Sequence, residues 1–232
     1  MVLKKWDDLP EFMRCDEVKE YYDILSHKKG SLVLKRIFDI VLGVILLVLL
    51  AIPMLIIAVM IKIDSKGPVF YRQERVTRYG KKFRIHKFRT MINNADKIGT
   101  AVTVGGDSRI TKVGAKIRDY RLDELPQLFD VLNGDMSFVG TRPEAIKYVE
   151  KYSKEMFATF LLPAGITSEA SIQYRDEANL LDNAADVDKL YVEKVLPEKM
   201  KYNLRSTKEF SFFNDIITMF RTVFAVFGKD YM

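Results

Sequence analysis

The strongest feature of the hydrophobic pattern is one uninterrupted apolar run. Residues 40–61 are 22 consecutive positions without a charged side chain. A helix of this length can cross a hydrocarbon core of roughly 30 Å. The pattern therefore predicts a membrane helix, which we assign to residues 35–62. A buried helix in the core of a soluble protein is the weaker alternative.

Pro53 lies inside this run and predicts a bend, because proline removes a backbone donor and clashes with the preceding turn. Basic residues flank both ends, with Lys35 and Arg36 before the run and Lys62 and Lys66 after it. Basic flanks favour the cytoplasmic side of a membrane. A re-entrant helix that breaks at Pro53 and returns satisfies both flanks, whereas a straight span satisfies one. The charge pattern leaves both topologies open and favours the re-entrant one.

The residues before the run predict a separate helical segment. Asp8 and Pro10 are typical of a helix start, and Lys29 followed by Gly30 is typical of a helix end. We assign residues 1–34 to an N-terminal helix on the cytoplasmic side. No apolar stretch with a small-residue cleavage site lies there, so no cleaved signal peptide is expected.

After the run the pattern changes to alternation. Residues 69–73 and 83–89 alternate in polarity around a polar turn, which predicts a β-hairpin, and its many Lys and Arg residues make it basic. Glycines between residues 93 and 107 predict a loop. Residues 112–121 predict a helical segment. Residues 63–232 are assigned to a cytoplasmic domain with a C-terminal extension.

Two later helices complete the predicted architecture. Asp123 is placed as the N-cap of one helix, with Pro126 in its first turn and Gly134 at its end. The other helix, in residues 210–227, carries an apolar stripe that suits either the protein core or a membrane interface, and the core is the commoner case. The predicted fold class is α+β and mainly helical, with a small basic hairpin and, in the topology favoured above, a Pro-broken re-entrant helix. Amphipathic helices such as this one would be interfacial if their stripes face a membrane.

Charge is unevenly distributed along the chain. The net charge is +6, but residues 62–121 contain 16 Lys or Arg and five Asp or Glu, a local net charge of +11. This stretch is expected to attract phosphates of lipids or nucleotides. A solvated basic surface is the simpler alternative. The single cysteine, Cys15, and the two histidines, His27 and His86, form no zinc-binding or disulfide pattern.

Asp123 and Glu124 are the best candidates for chemistry. Adjacent helical side chains point about 100° apart, so the two carboxylates cannot face each other as a glycosidase pair does. One carboxylate can attack phosphorus without a general base, and its neighbour can help hold Mg²⁺ beside an anionic diphosphate. On spacing alone, the simpler explanation is favoured: an N-cap followed by a first-turn acid.

A series of ordered motifs changes this balance. The motifs are KRIFD (35–39), Pro53, SKGPVFYRQERV (65–76), KFRTM (87–91), DSRITKVG (107–114), LDELPQL (122–128) and GDMSFVGTRP (134–143). With these motifs the chain resembles the monotopic polyprenol-phosphate phosphoglycosyl transferases, also called bacterial sugar transferases. The resemblance runs from about Leu34 to the C-terminus. It implies a re-entrant helix broken at the position of Pro53.

The resemblance also implies roles for individual residues. Asp123 would be the nucleophile that attacks the β-phosphorus of a UDP-sugar and expels UMP, and Glu124 would support Mg²⁺ with it. Polyprenol phosphate would then take the phosphosugar from Asp123. The expected contacts to phosphate are Lys87, Arg89, Arg109, Arg118 and Arg142, for which ordinary surface cations are the simpler alternative.

The implied setting is the cytoplasmic face of the bacterial inner membrane, at the first membrane step of glycan assembly. The implied partners are a UDP-sugar, undecaprenyl phosphate, membrane lipids and downstream glycosyltransferases, without nucleic acid; dimerisation is left open. Two other functions are weighed: a membrane-associated glycosyltransferase that releases UDP, and a non-enzymatic membrane adaptor. The chain departs from the family pattern at Ile52, where Ser is frequent, and at Thr141, where Pro is common.

Overall fold

The computed structural model describes residues 1–95, 107–174 and 186–227. The described chain is mainly helical and contains two small two-stranded sheets, which confirms the predicted helical character and the hairpin. Most of the predicted glycine-rich loop, with Gly99, Gly105 and Gly106, lies outside the described residues.

The regular elements follow one another with short connections. In chain order they are α1 (Asp16–Ser26), α2 (Lys29–Asp64), β1 (Phe70–Val76), β2 (Lys82–Phe88), α3 (Lys112–Asp119), α4 (Gln127–Asn133), β3 (Met136–Val139), α5 (Ile146–Val149), β4 (Ala164–Thr167), α6 (Glu169–Gln173), α7 (Val187–Leu190), α8 (Leu196–Lys208) and α9 (Phe212–Phe227). Short 3₁₀ segments lie at Trp6–Asp8, Glu11–Met13, Arg78–Gly80, Leu122–Glu124 and Glu155–Leu161, and a π-helical turn, Tyr191–Val195, leads into α8.

The long helix α2 contains the whole apolar run and has 36 residues. It is long and apolar enough to cross a membrane, judged by length and composition. The helix continues through Pro53 without interruption, so Pro53 does not end it. The bend and the re-entrant path predicted there stay predictions. One face of α2 packs on the rest of the protein, whereas large apolar side chains such as Val48 and Ile52 are exposed on the other.

The N-terminal helix is shorter than predicted. Pro10 has an extended backbone conformation and precedes a 3₁₀ turn, so the α-helix begins only after Cys15. A new helix, α2, then starts at Lys29, where the sequence pattern predicted a helix end. Buried residues of this segment, including Tyr21 and Leu25, share one hydrophobic cluster with residues 145–162 and 191–210.

The predicted hairpin is present. Strands β1 and β2 are antiparallel, with Phe70 opposite Phe88 and Val76 opposite Lys82. Phe83 and Ile85 are buried against α4 and β3, in a cluster that the first half of α2 also joins. The hairpin therefore lies between the long helix and the domain behind it.

The second sheet was not predicted from the sequence. Strands β3 and β4 are parallel, with Met136 opposite Ala164 and Val139 opposite Thr167. Both strands have four residues and are largely buried, so neither shows the polar alternation that marks a half-buried strand. The backbone of β4 passes close to Gly140, which follows β3. A Cβ atom on Gly165 would lie only 2.2 Å from the Gly140 nitrogen.

The apolar stripe of the last helix does not enter the core. Phe213, Ile217, Phe220 and Phe224 on α9 are exposed by 56–74% of their surface. The commoner explanation for this stripe, core packing, is therefore wrong in the described structure. The helix is attached to α2 on its polar side, where Lys35 Nζ donates to Asp215 Oδ2 at 2.5 Å.

Candidate active site

Asp123 and Glu124 lie on a single 3₁₀ turn that precedes α4. Arg121, just before the turn, adopts a left-handed conformation with φ 56°, which is uncommon for a residue with a Cβ atom and is often found at functional sites. Helix α4 starts at Gln127 with Pro126 in the capping position, so the prediction of Asp123 as N-cap was wrong. Gly134 ends α4 with φ 84°, as predicted.

Apolar side chains fix this turn to the long helix. Leu122, Leu125 and Phe129 pack on a cluster that contains Ile57 and Ile61 of α2. These side chains are partly buried, so each contributes a share of the roughly 1.5–3 kcal/mol that full burial would give. The turn that contains the two carboxylates therefore packs directly against the second half of the apolar helix.

Glu124 is buried and holds two cations. Lys87 Nζ donates to Glu124 Oε1 at 2.8 Å, and the Arg142 guanidinium donates to both carboxylate oxygens. Burial alone would raise the pKa of the Glu124 carboxyl, but the charges of Arg142 and Lys87 outweigh it and keep the pKa well below its ordinary value. Glu124 also raises the pKa of Arg142. Glu124 is thus ionised, with both oxygens engaged.

Asp123 is left in a different state. It is half-buried and accepts no hydrogen bond from the residues that the structure describes. Burial raises the pKa of its carboxyl above the ordinary value, Lys87 opposes this rise, and the negative charge of Glu124 adds to it. The charge of Glu124 is therefore neutralised by two cations, whereas the Asp123 carboxylate is available to contact a ligand.

Separate elements bring the two cations to Glu124. Lys87 is near the end of β2, while Arg142 follows β3. The end of β3 is held by α2, since Lys35 Nζ donates to the Val139 carbonyl at 2.6 Å and Asp39 accepts from the Phe138 amide at 3.2 Å. The KRIFD motif thus positions the segment that carries Arg142.

The other predicted phosphate contacts are placed differently. Arg118 lies close enough to lower the pKa of Asp123 and donates to Thr90 Oγ1 at 3.3 Å. Arg109 is paired with Asp107 and donates to the Ala95 carbonyl at 3.0 Å. Arg89 is buried at the end of α2, where it donates to the carbonyls of Ser65 and Lys66. The structure brings Lys87, Arg118 and Arg142 to the carboxylates, but gives Arg89 a helix-capping position.

The residues present fit a metal ion only in part. Within the described ranges no group of three or more His, Cys, Asp or Glu residues could hold a metal. Among the described residues the Asp123 carboxylate has no hydrogen-bond partner, whereas both oxygens of Glu124 already contact cations. Mg²⁺ is commonly held by one or two carboxylates together with substrate phosphates. The donor set therefore fits an ion that arrives with a diphosphate.

The sequence analysis missed several residues beside this site. A cavity next to Lys87 and Arg142 is also lined by Arg75, Gln127, Glu144, Tyr191 and Lys199. Only Arg75 and Gln127 lie within the motifs quoted above, and their positions inside a strand and a helix gave no reason to single them out. The Nδ1 atom of His86 lies 2.6 Å from Asp130 Oδ1.

With this geometry established, comparison with known families is decisive. The family described as bacterial sugar transferase matches residues 30–229. The chain belongs to the bacterial sugar transferase family. The match includes the long helix, the hairpin and the turn with the two carboxylates, so the resemblance noted in the sequence is confirmed.

Curated relatives of this bacterial sugar transferase act on related substrates, according to their names. The UDP-N-acetylgalactosamine-undecaprenyl-phosphate N-acetylgalactosaminephosphotransferase of Aeromonas hydrophila is 37% identical over 194 residues, which are 82% of this chain and 43% of that protein. The UDP-glucose:undecaprenyl-phosphate glucose-1-phosphate transferase of Escherichia coli (strain K12) is 36% identical over 200 residues, 84% of this chain and 40% of that protein.

A third relative is the undecaprenyl-phosphate galactose phosphotransferase of Salmonella typhimurium, 32% identical over 218 residues, which are 88% of this chain and 42% of that protein. The matches span about two fifths of the length of all three relatives. Their names share undecaprenyl phosphate and differ in the sugar.

Proposed function

We propose that this chain transfers a sugar 1-phosphate from a UDP-sugar to a polyprenol phosphate, with undecaprenyl phosphate as the acceptor. The observation that carries this proposal is the unequal pair of carboxylates. Glu124 is ionised and occupied by Lys87 and Arg142, whereas Asp123 has no hydrogen-bond partner among the described residues and faces the same cations. The names of the relatives support the same substrate class.

In the first step, a carboxylate oxygen of Asp123 attacks the β-phosphorus of the UDP-sugar. A bond forms between this oxygen and phosphorus, and the bond from phosphorus to the bridging oxygen breaks, so that UMP leaves with the electron pair. Lys87, Arg118 and Arg142 stabilise the negative charge on the phosphoryl oxygens. Glu124 keeps Lys87 and Arg142 in position for this task.

In the second step, a phosphate oxygen of the polyprenol phosphate attacks the same phosphorus. The bond between phosphorus and the Asp123 oxygen breaks, which restores the carboxylate and gives a polyprenol diphosphosugar. The packing of the turn on α2 supports this step, because a lipid-linked acceptor has to approach from the apolar side. The product would be a substrate for downstream glycosyltransferases.

We also propose that Mg²⁺ takes part, held by Asp123 with the diphosphate of the donor, and with Glu124 in a supporting position. When bound, the ion would reduce the repulsion between an anionic nucleophile and an anionic substrate. Omission of Mg²⁺ in the presence of a chelator is expected to remove activity, and its return is expected to restore it. Undiminished turnover in the chelator would contradict a role for the ion.

The membrane placement proposed here is re-entrant, with the domain on the cytoplasmic face of the bacterial inner membrane. Both ends of α2 are bound to the same domain: Lys35 and Asp39 contact β3 and its end, and Asp64 accepts from the Val113 amide at 3.0 Å. A straight span would separate these ends by the thickness of the bilayer. The exposed apolar faces of α2 and α9 would lie in the lipid.

Labelling with a membrane-impermeant maleimide tests this topology. In a Cys15→Ser background, Lys29→Cys and Lys66→Cys place single thiols at exposed positions on the two ends of α2. In inverted inner-membrane vesicles we expect both thiols to react, and in intact spheroplasts neither. Reaction of one thiol in each preparation would instead indicate a spanning helix.

Nucleotide release tests the proposed chemistry. The full chain in detergent or nanodiscs is incubated with undecaprenyl phosphate, Mg²⁺ and each of several UDP-sugars. We expect UMP from at least one donor, and a loss of roughly 10⁴-fold or more with Asp123→Asn, because the amide is not a nucleophile. A radiolabelled sugar should remain on the native protein when acceptor is omitted.

Two outcomes would reject the proposal. Release of UDP would indicate a glycosyltransferase that moves the sugar alone. Salt-sensitive lipid binding without release of any nucleotide, unaffected by Asp123→Asn, would indicate a non-enzymatic adaptor.

A further inference from the structure

The cavity beside the carboxylate pair is lined by residues from both halves of the domain. Lys87 and Arg142, which hold Glu124, form one part of its wall. Gln127 of α4 lies one helical turn after Glu124 and forms another part. Tyr191 and Lys199, from the C-terminal region, also line it. The cavity is therefore continuous with the candidate active site.

Gln127 is the unusual residue in this cavity. It is 1% exposed, and neither its amide nitrogen nor its amide oxygen has a hydrogen-bond partner in the part of the chain that the structure describes. A buried amide without partners costs free energy, and such groups are rare in folded proteins. An amide can donate and accept at once. Its position in the wall of a polar cavity indicates a ligand with both kinds of group.

Three other lining residues, Glu144, Tyr191 and Lys199, offer a similar mixture of donors and acceptors. Glu144 is buried and accepts from the Tyr191 hydroxyl at 2.7 Å, and Lys199 Nζ lies 3.6 Å from the same carboxylate. Lys199 and Arg75 offset the charge of Glu144, so this part of the cavity presents cations and a carboxylate side by side. It suits neutral hydroxyl groups, which accept from cations and donate to carboxylates.

We propose that this cavity binds the sugar group of the nucleotide-sugar donor and that Gln127 contacts its hydroxyl or N-acetyl substituents. The proposal rests on the proposed function, because it assumes a donor whose β-phosphorus lies at Asp123. The phosphate is then held by Lys87 and Arg142, and the sugar extends towards Gln127 and Glu144. The nucleoside lies outside this cavity.

Equilibrium binding to a variant that cannot turn over separates this proposal from the reaction itself. In an Asp123→Asn background, the dissociation constants of UMP, UDP-glucose, UDP-galactose, UDP-N-acetylglucosamine and UDP-N-acetylgalactosamine are measured with and without Gln127→Leu. We expect Gln127→Leu to weaken binding of the preferred UDP-sugar about tenfold, because about two hydrogen bonds are lost. Binding of UMP should not change, and the differences among the four sugars should become smaller.

Gln173→Leu is the matched control, since Gln173 is an exposed glutamine on α6. It should leave all five dissociation constants unchanged. Equal weakening of UMP and UDP-sugars by Gln127→Leu would place the nucleotide in the cavity and overturn the proposal. Unchanged binding of every ligand would overturn it too. If the native protein releases no UMP while sugar-dependent binding is lost in Gln127→Leu, the proposed reaction fails and the sugar site remains.

Discussion

Two groups of charged residues lie in or near the protein interior, but their surroundings differ. One is Lys35 with Asp39 on α2, and the other is Asp123 with Glu124 on the 3₁₀ turn. Lys35 donates to a backbone carbonyl and to Asp215, and Asp39 accepts from Ser137 and from the Phe138 amide. On the turn, Glu124 is satisfied in a similar way. Asp123, next to it, accepts no hydrogen bond from any residue in the described ranges.

This difference separates charges that hold the fold from a charge that is available for reaction. A buried charge without partners is unfavourable, so a fold that leaves one carboxylate unpaired beside several cations has to compensate elsewhere. Leu122 and Leu125 pack the turn that carries Asp123 on α2, while Lys35 and Asp39 have hydrogen-bonded partners. Substitutions in the two groups should therefore affect different measurements.

The largest effect on stability is expected at Lys35. Lys35→Met removes one partner of a buried ion pair and leaves Asp215 without its cation. Such a loss typically costs about 3–5 kcal/mol, which would lower the melting temperature by about 10 °C in a chain of this size. Thermal unfolding in detergent measures it.

Lys62→Met on the same helix is the control, because Lys62 is exposed and its side chain pairs with no residue in the part of the chain that the structure describes. It should change stability by less than about 0.5 kcal/mol. If both variants unfold at the temperature of the native protein, Lys35 does not anchor the fold and the distinction between the two charged groups fails.

The next effect is expected at Arg142, in activity rather than in stability. Arg142→Ala removes a guanidinium that holds Glu124 and faces the reacting phosphate, so turnover should fall by about 10²–10³-fold. Arg142→Lys keeps the charge but not the two-point contact, and should recover part of the loss. Arg205→Ala, an exposed arginine of α8, is the control.

UMP release at saturating and at low donor concentration measures these three variants. A fall in turnover without a matching fall in melting temperature is expected for Arg142→Ala. A parallel loss of both in Arg142→Ala would mean that Arg142 belongs with Lys35 as a structural residue.

Local patterns were enough to predict much of the architecture. The long apolar run, the alternation of the hairpin and Gly134 as a helix stop each depend on near neighbours in sequence, and all three agree with the structure. The motif series also pointed to the correct family before any geometry was known. The candidate site was predictable where the motif itself carries the chemistry, as at Asp123 and Glu124.

The sequence did not predict which residue each charged side chain contacts. Lys87 and Arg89 lie two positions apart in one motif. Arg89 nevertheless caps α2, while Lys87 donates to Glu124. The same limit applies to Lys35, which was interpreted as a membrane flank and is bound to β3 and α9. Composition cannot distinguish these cases, because the contacts join residues about 25 to 180 positions apart.

The smallest of the predicted effects is a shift in the pH dependence of the reaction. Asp123 must be ionised to attack, so kcat/KM should fall as pH drops through its pKa. Burial raises this pKa, and the positive charge of Lys87 opposes the rise. Lys87→Gln should therefore raise the pKa of Asp123 further and move the acidic limb of the profile to higher pH.

Glu124→Gln should move the same limb in the opposite direction, because it removes a negative neighbour that raises the pKa of Asp123. Lys82→Gln, an exposed lysine on the same strand as Lys87, should leave the limb in place. Profiles of kcat/KM for UMP release, measured at constant ionic strength, compare all three variants. Opposite shifts for Lys87→Gln and Glu124→Gln would assign the limb to a group that interacts with both charges, as Asp123 does. Shifts in the same direction would assign the limb to another group.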